Sequence, residues 1–358
     1  MKRRWVFALC CAFLLIGLSG VAAQAQSAEA QKHVAAAKAL AYEPGNDYTG
    51  SFETICEEPR PPAAPRGAGG GGGGRGGDGA AAGGQRGAAP VGRNVPPRAQ
   101  WYAPPARIFD NMYYVGSSNN SVYAITTAQG IVLINAGEYY SVEAEIVEGF
   151  KTLGLNTADI KYVIIADARE PSYSGARYLQ DHFSAHVLAS EGDWNVMAKT
   201  TVPEEGRPKK DMVVTDGQKF TLGDMTLTLY VTPGHTPGTI SMIIPNLKDG
   251  TRRYTAALLG GRDPLANGEG VQYFPTDLDA IKAWKISVNR FGDIAAKANA
   301  DVFLITRGSN DKLLDRIHAL SYRKAGAPHT FVSKDGVKRY LTMTAECMDA
   351  QIAWRAGK

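Results

Sequence analysis

Two segments of this 358-residue chain carry side chains that could do chemistry. The first is Thr232-Pro233-Gly234-His235-Thr236-Pro237-Gly238-Thr239, a Gly/Pro loop that presents a single histidine. The second is Asp167-Ala168-Arg169-Glu170-Pro171-Ser172-Tyr173-Ser174-Gly175, which follows an apolar run at Tyr162–Ile165. Asp167, Ser172 and His235 are the residue types of an orienter, a nucleophile and a base. Asp167, Glu170 and His235 are oxygen and nitrogen donors of the kind that hold one metal ion. The bland reading of a lone loop histidine is a structural residue with its hydrogen bonds satisfied. The six histidines (33, 182, 186, 235, 318 and 329) include no His-x-His pair. Arg169 and Arg307 stay cationic at any working pH and cannot ligate a metal.

These segments need a scaffold, and the hydrophobic pattern supplies one. Runs at 107–116, 121–127, 130–135, 161–166, 185–190, 240–245, 254–259 and 302–306 read as strands, and 221–232 as a hairpin about Gly223-Asp224. Residues 28–41, 141–153, 175–183, 277–296, 311–325 and 337–354 read as helices. Strand-rich stretches alternating with single helices predict an α/β fold with two sheets between helical layers.

Composition narrows the function classes. The chain is 44% hydrophobic, enough for a substantial core and against wholesale disorder. Its net charge of +4 lies in the first 100 residues, which hold 11 Lys+Arg and 7 Asp+Glu, while the rest balances at 28 each. A neutral globular part gives no electrostatic case for a nucleic-acid partner. Lys2, Arg3 and Arg4, the apolar run Val6–Leu18 and the small residues Val21–Ala25 predict a signal peptide over 1–25 and a periplasmic or secreted protein with no remaining membrane span. A helical arm is expected over 26–60. A Gly/Ala/Arg/Pro-rich disordered linker is expected over 61–98, since 14 of the 40 glycines fall between 67 and 92. The folded domain is expected over 99–358. Leader removal leaves Cys56 and Cys347, an even pair that allows one intramolecular disulfide in an oxidising compartment. The alternative is two unpaired thiols.

Three stretches resemble the metallo-β-lactamase superfamily, and most of all its third subclass. They are Ile108–Gly116, the run Gly154-Leu155 with Asp159–Ile165, and the loop Thr232–Thr239. The resemblance implies a four-layer αββα sandwich with a zinc site along one edge, where metal-bound water attacks the substrate. The family's metal loop reads His-x-His-x-Asp-His. Carried over, its positions fall on Asp167, Arg169, Pro171 and Ser172. A further His position falls on Arg307, and a supporting acid on Asn135. Only His235 keeps a family ligand.

The resemblance therefore implies one remnant pocket of Asp167, Arg169, Ser172, His235 and Arg307, with no bound zinc. Each arginine is expected to pair with a carboxylate, Asp167 and Glu170 being nearest, though both could be ordinary surface charges. The leading expectation is an exported pseudoenzyme that binds an unknown small molecule or anion, or serves as a scaffold. The alternatives are a β-lactam, lactone or similar hydrolase with a relocated metal on Asp167, His235 and Glu170, or a metal-free site of Ser172, His235 and Asp167.

Overall fold

The computed structural model describes residues 28–44, 48–59, 95–308 and 311–356. The expected signal peptide, and the expected linker up to residue 94, lie outside the described residues.

Two helices form the arm: α1, over residues 28–41, and α2, Thr49–Ile55. Ala30, Ala37 and Ala41 are fully buried and share the inward face of α1. A seven-stranded sheet follows in sequential order: β1 Ala106–Phe109, β2 Met112–Tyr114, β3 Tyr123–Thr127, β4 Gly130–Ile134, β5 Ile160–Ile164, β6 His186–Ser190 and β7 Met212–Val214. Strands β1 to β4 are antiparallel, and β4 to β7 run parallel. The helices of this half are α3 Glu148–Leu153, α4 Glu170–Tyr173, α5 Ala176–Phe183 and α6 Glu191–Met197.

The second sheet contains β8 Gln218–Leu222, β9 Met225–Val231, β10 Ile240–Asp249 and β11 Arg252–Leu259. A small hairpin follows, β12 Asn267–Gly268 and β13 Val271–Gln272. Helix α7 spans Asp277–Lys297, β14 Val302–Ile305, α8 Leu313–Ser321 and α9 Gly336–Arg355. The sheet order is β14-β11-β10-β9-β8, with β11 and β14 parallel.

Period-two alternation builds the layers. On β4, β5 and the residue after β5, Val132, Ile134 and Ile164 enter the core between the sheets, while Leu133, Val163 and Ile165 face α3 and α5. On β11 and β14, Ala256, Leu258, Val302 and Leu304 enter that same core, while Ala257, Leu259, Phe303 and Ile305 face α7 and α9. Each fully buried Leu or Ile contributes about 1.5–3 kcal/mol relative to exposure. The result is the expected αββα sandwich.

The arm closes the outer face of the second sheet. Tyr48 packs edge-on against Tyr340, ring centroids 5.0 Å apart. Cys56 and Cys347 are disulfide-bonded, with Cα atoms 4.8 Å apart.

Several expected elements differ in detail. The run 107–116 is a hairpin, because Asp110-Asn111 turn the chain and bond to the β10 backbone at Lys248 and Asn246. The helix expected over 141–153 opens as a π-helical turn at Glu143–Val147, with Glu145 buried inside it. Helix α6 and edge strand β7 were not expected.

Candidate functional site

Strands β4, β5, β11 and β14 end along one edge, where the exit of β9 joins them. Asn135, in left-handed backbone conformation at φ 65°, follows β4. Its Oδ1 accepts the Ala166 N–H at 2.9 Å, and its Nδ2 donates to the Ser121 carbonyl at 3.3 Å. An amide here braces the Asp167 loop without adding a charge. The Ala166 carbonyl accepts from Ile240 N at 2.7 Å, which ties this loop to the second sheet.

Asp193, on α6, holds the His235 loop. Its carboxylate accepts from Gly238 N at 2.8 Å and Thr236 Oγ1 at 2.9 Å. Burial pushes the Asp193 carboxyl up to about 8, against the pull of those hydrogen bonds. Gly261 packs on the other side of His235. Its φ is +75°, and a Cβ there would lie 2.4 Å from His235 Cγ. Only glycine fits both demands.

His235 is buried, hydrogen-bonded at one ring nitrogen and with a carboxylate facing the other. Nδ1 donates to the Asp263 backbone carbonyl at 2.6 Å and lies 3.5 Å from Asp263 Oδ1. Nε2 faces Asp167 Oδ1 at 3.9 Å. A carbonyl on one ring nitrogen is how metal-ligating histidines are held. Burial alone would raise the Asp263 carboxyl, but His235 and the Arg262 guanidinium outweigh it and hold the group well below the usual carboxylate range.

Arg169 does not pair as expected. Its backbone N–H donates to Asp167 Oδ1 at 3.0 Å, but its Nε donates to Glu269 Oε1 at 2.7 Å. Glu269 Oε2 in turn accepts from the Tyr273 hydroxyl at 2.7 Å. Arg169 sits at the N-cap of α4, so its side chain leaves the loop towards the turn of β12 and β13 instead of folding back on Asp167 or Glu170. Burial and the neighbouring Glu269 push the Glu170 carboxyl up.

Arg262 Nη2 donates to Asp263 Oδ2 at 3.0 Å. Arg307, expected to pair with a carboxylate, has no hydrogen-bond or ion-pair partner among the described residues. Burial, then Arg169 and Arg262, make its charged form harder to hold, and Asp167 and Asp263 only partly offset them. The structure thus brings Asp167, His235, Arg169 and Arg307 within one electrostatic neighbourhood. Ser172 enters it through its backbone, with N–H to Arg169 O and C=O from Ala136 N. Among the described residues its hydroxyl has no hydrogen-bond partner, and none joins it to His235.

Arg262, Asp263, Glu269 and Asp193 were missed in the sequence. Gly260-Gly261 at the end of an apolar strand marks a close approach and could have flagged Arg262 and Asp263. Glu269 lies 100 residues from Arg169 and carries no motif.

The donor set does not fit zinc. Asp167 and His235 supply two donors, arginines stand nearby, and among the described residues no group of three His, Cys, Asp or Glu could hold a metal.

No family model matches the chain. Solved structures do. A variant of the metallo-β-lactamase FEZ-1 of Legionella gormanii matches with TM-score 0.61 and 25% identity over 72% of this chain and 97% of that one. BJP-1, a subclass B3 enzyme of Bradyrhizobium japonicum, matches with TM-score 0.58 and 27% identity over 72% and 97%. A Cronobacter sakazakii metallo-β-lactamase named for its HARLDQ motif matches with TM-score 0.59 and 27% identity over 73% and 99%. That motif shares its Ala-Arg with Asp167-Ala168-Arg169-Glu170-Pro171-Ser172 of this chain. The fold and these neighbours support placing the chain in the metallo-β-lactamase superfamily, similar to its B3 members.

Proposed function

We propose that this protein is a non-catalytic, exported member of the superfamily that keeps the pocket as a binding or scaffolding site. The observation that carries the reading is the Arg169–Glu269–Tyr273 chain at a metal-ligand position. It fills that position with a cation already engaged in structure. A divalent ion about 4 Å from a guanidinium meets several kcal/mol of repulsion at an effective dielectric near 20. Asp167 and His235 alone cannot offset that. The disulfide fits an oxidising compartment such as the periplasm.

The rival hydrolase with a relocated metal draws on one feature, the facing of His235 Nε2 and Asp167 at 3.9 Å. It lacks a third donor among the described residues. The metal-free triad lacks a bond between Ser172 and His235.

The test is zinc content of the purified protein alongside hydrolysis of a chromogenic cephalosporin and a lactone. Far less than one zinc per chain and no hydrolysis are expected. Stoichiometric zinc that disappears in His235→Ala would overturn the reading in favour of the relocated-metal hydrolase.

A further inference from the structure

The arginines of the pocket are unequally satisfied. Arg169 is spent on Glu269 through Nε. Arg262 uses Nη2 on Asp263, but its Nε is buried with no hydrogen-bond partner among the described residues. Arg307 is half-buried, and none of its five N–H donors is used within the described residues.

The two under-used side chains arise at neighbouring strand ends. Strands β11 and β14 are in parallel register, Leu259 opposite Ile305, and Gly261 N donates to Thr306 Oγ1 at 3.1 Å. Arg262 and Arg307 each follow directly from that junction. The Arg307 guanidinium is half-buried with its fork unused among the described residues, so an acceptor that reaches it meets donors already in place.

We propose that Arg307, beside Arg262, is the receptor for the carboxylate of a small monoanionic organic acid. This deepens the non-catalytic reading above and rests on it.

Charge decides the class of ligand. Glu269 and Asp263 each neutralise one arginine, at 2.7 and 3.0 Å. Asp167 is engaged by the Arg169 N–H and faces His235. One guanidinium charge remains without a contact partner. Asp167, Asp263 and Glu138 lie close enough to act on Arg307 electrostatically and oppose a second negative charge on the ligand. A planar carboxylate also matches the guanidinium fork in two parallel hydrogen bonds.

The experiment is thermal unfolding of the full chain titrated with sodium acetate, with sodium chloride holding ionic strength constant, and inorganic phosphate in a parallel arm. A saturable rise in Tm with acetate is expected, with a smaller response to phosphate. Arg307→Gln should weaken the acetate response about tenfold or more. Without acetate it should be at least as stable as the native chain, because it removes an unpaired charge. Arg307→Lys keeps the charge and loses the fork, so it should bind acetate several-fold more weakly. Arg98→Gln, a change at an exposed arginine paired with Glu148, should leave the response unchanged. A response to acetate no larger than to chloride, or one that survives Arg307→Gln, overturns the proposal. A stronger saturable response to phosphate overturns the carboxylate assignment. Zinc measured on the same preparation separates the two failures. Stoichiometric zinc defeats the non-catalytic reading, whereas a zinc-free protein blind to acetate defeats this one alone.

Discussion

Replacing Arg169 by Met tests whether the pocket is held by charge pairing. The pair joins Arg169 Nε to Glu269 Oε1 at 2.7 Å, with side chains only 24% and 12% exposed. At that separation and an effective dielectric near 20 the gross attraction is about 6 kcal/mol. Most of it offsets the loss of hydration of two charges. Arg169→Met leaves Glu269 buried with Tyr273 as its remaining partner, so a cost of about 3 kcal/mol is expected. Glu269→Gln keeps an acceptor for Arg169 and should cost less, about 1–2 kcal/mol. The double variant should be less damaged than the sum, with a coupling of about 2 kcal/mol. Urea unfolding of the four proteins gives the cycle. Hydrogen exchange adds a local readout, since Arg169→Met should speed exchange over residues 167–175, which the pair ties to the 267–272 hairpin. Additive effects, or an Arg169→Met cost below about 0.5 kcal/mol, would refute the reasoning and free Arg169 for a ligand.

Three further outcomes are expected. Cys56→Ser with Cys347→Ser should lower stability by up to about 6 kcal/mol in the chain-entropy model for a separation of 291 residues, measured as a drop in urea midpoint against the oxidised chain; equal midpoints would count against a stabilising bridge. Burial pushes the Glu145 carboxyl from 4.5 up to about 8, so the folded chain holds that proton more tightly than the unfolded one. Stability from this group is full below about pH 4.5 and is lost as pH rises through about 8, on the order of a few kcal/mol; Glu145→Gln should flatten the slope of Tm against pH, and parallel profiles would sink the assignment. The fivefold variant Asp167→His, Arg169→His, Pro171→Asp, Ser172→His, Arg307→His should bind zinc, read by metal analysis of the folded protein; a folded but zinc-free variant would show that these positions do not converge as the family's ligands do.

The layers were legible because apolar side chains alternate cleanly along the central strands, as at Val132, Leu133 and Ile134. The arm was legible through its alanines, and the disulfide through simple pairing of the two cysteines outside the expected signal peptide. Short edge elements were not. Strand β7 has three residues, too few for a period to register. Helix α6 did carry a signal, since Ser190 caps it by accepting from Asp193 N at 3.2 Å, a serine three residues ahead of an acidic residue. The expected partners of Arg169 were its neighbours in sequence. Its actual partner comes from a Gly-rich hairpin with no periodicity, and only the fold brings Glu269 there.

The braces and the family's ligand positions fall on different residues, and on the non-catalytic reading proposed above that separation lets the fold keep its shape without an ion. Asn135 on Ala166, Asp193 on Thr236 and Gly238, and Ala166 on Ile240 satisfy backbone and side-chain groups of the site loops without a metal. The loops therefore do not need an ion to hold their shape. What an ion would have supplied, positive charge beside Asp167 and Asp263, is supplied by guanidinium groups. On that reading each arginine opposes zinc, because a single histidine placed at 167 or 172 would still have the charges of Arg169 and Arg307 nearby. With one cation nearby costing a divalent ion several kcal/mol, no single reversion recovers a site that needs three or four ligands. Zinc binding on this scaffold would need the arginines at 169 and 307 replaced together with the introduction of the histidines. A site in that condition is free to specialise towards the charge its arginines attract.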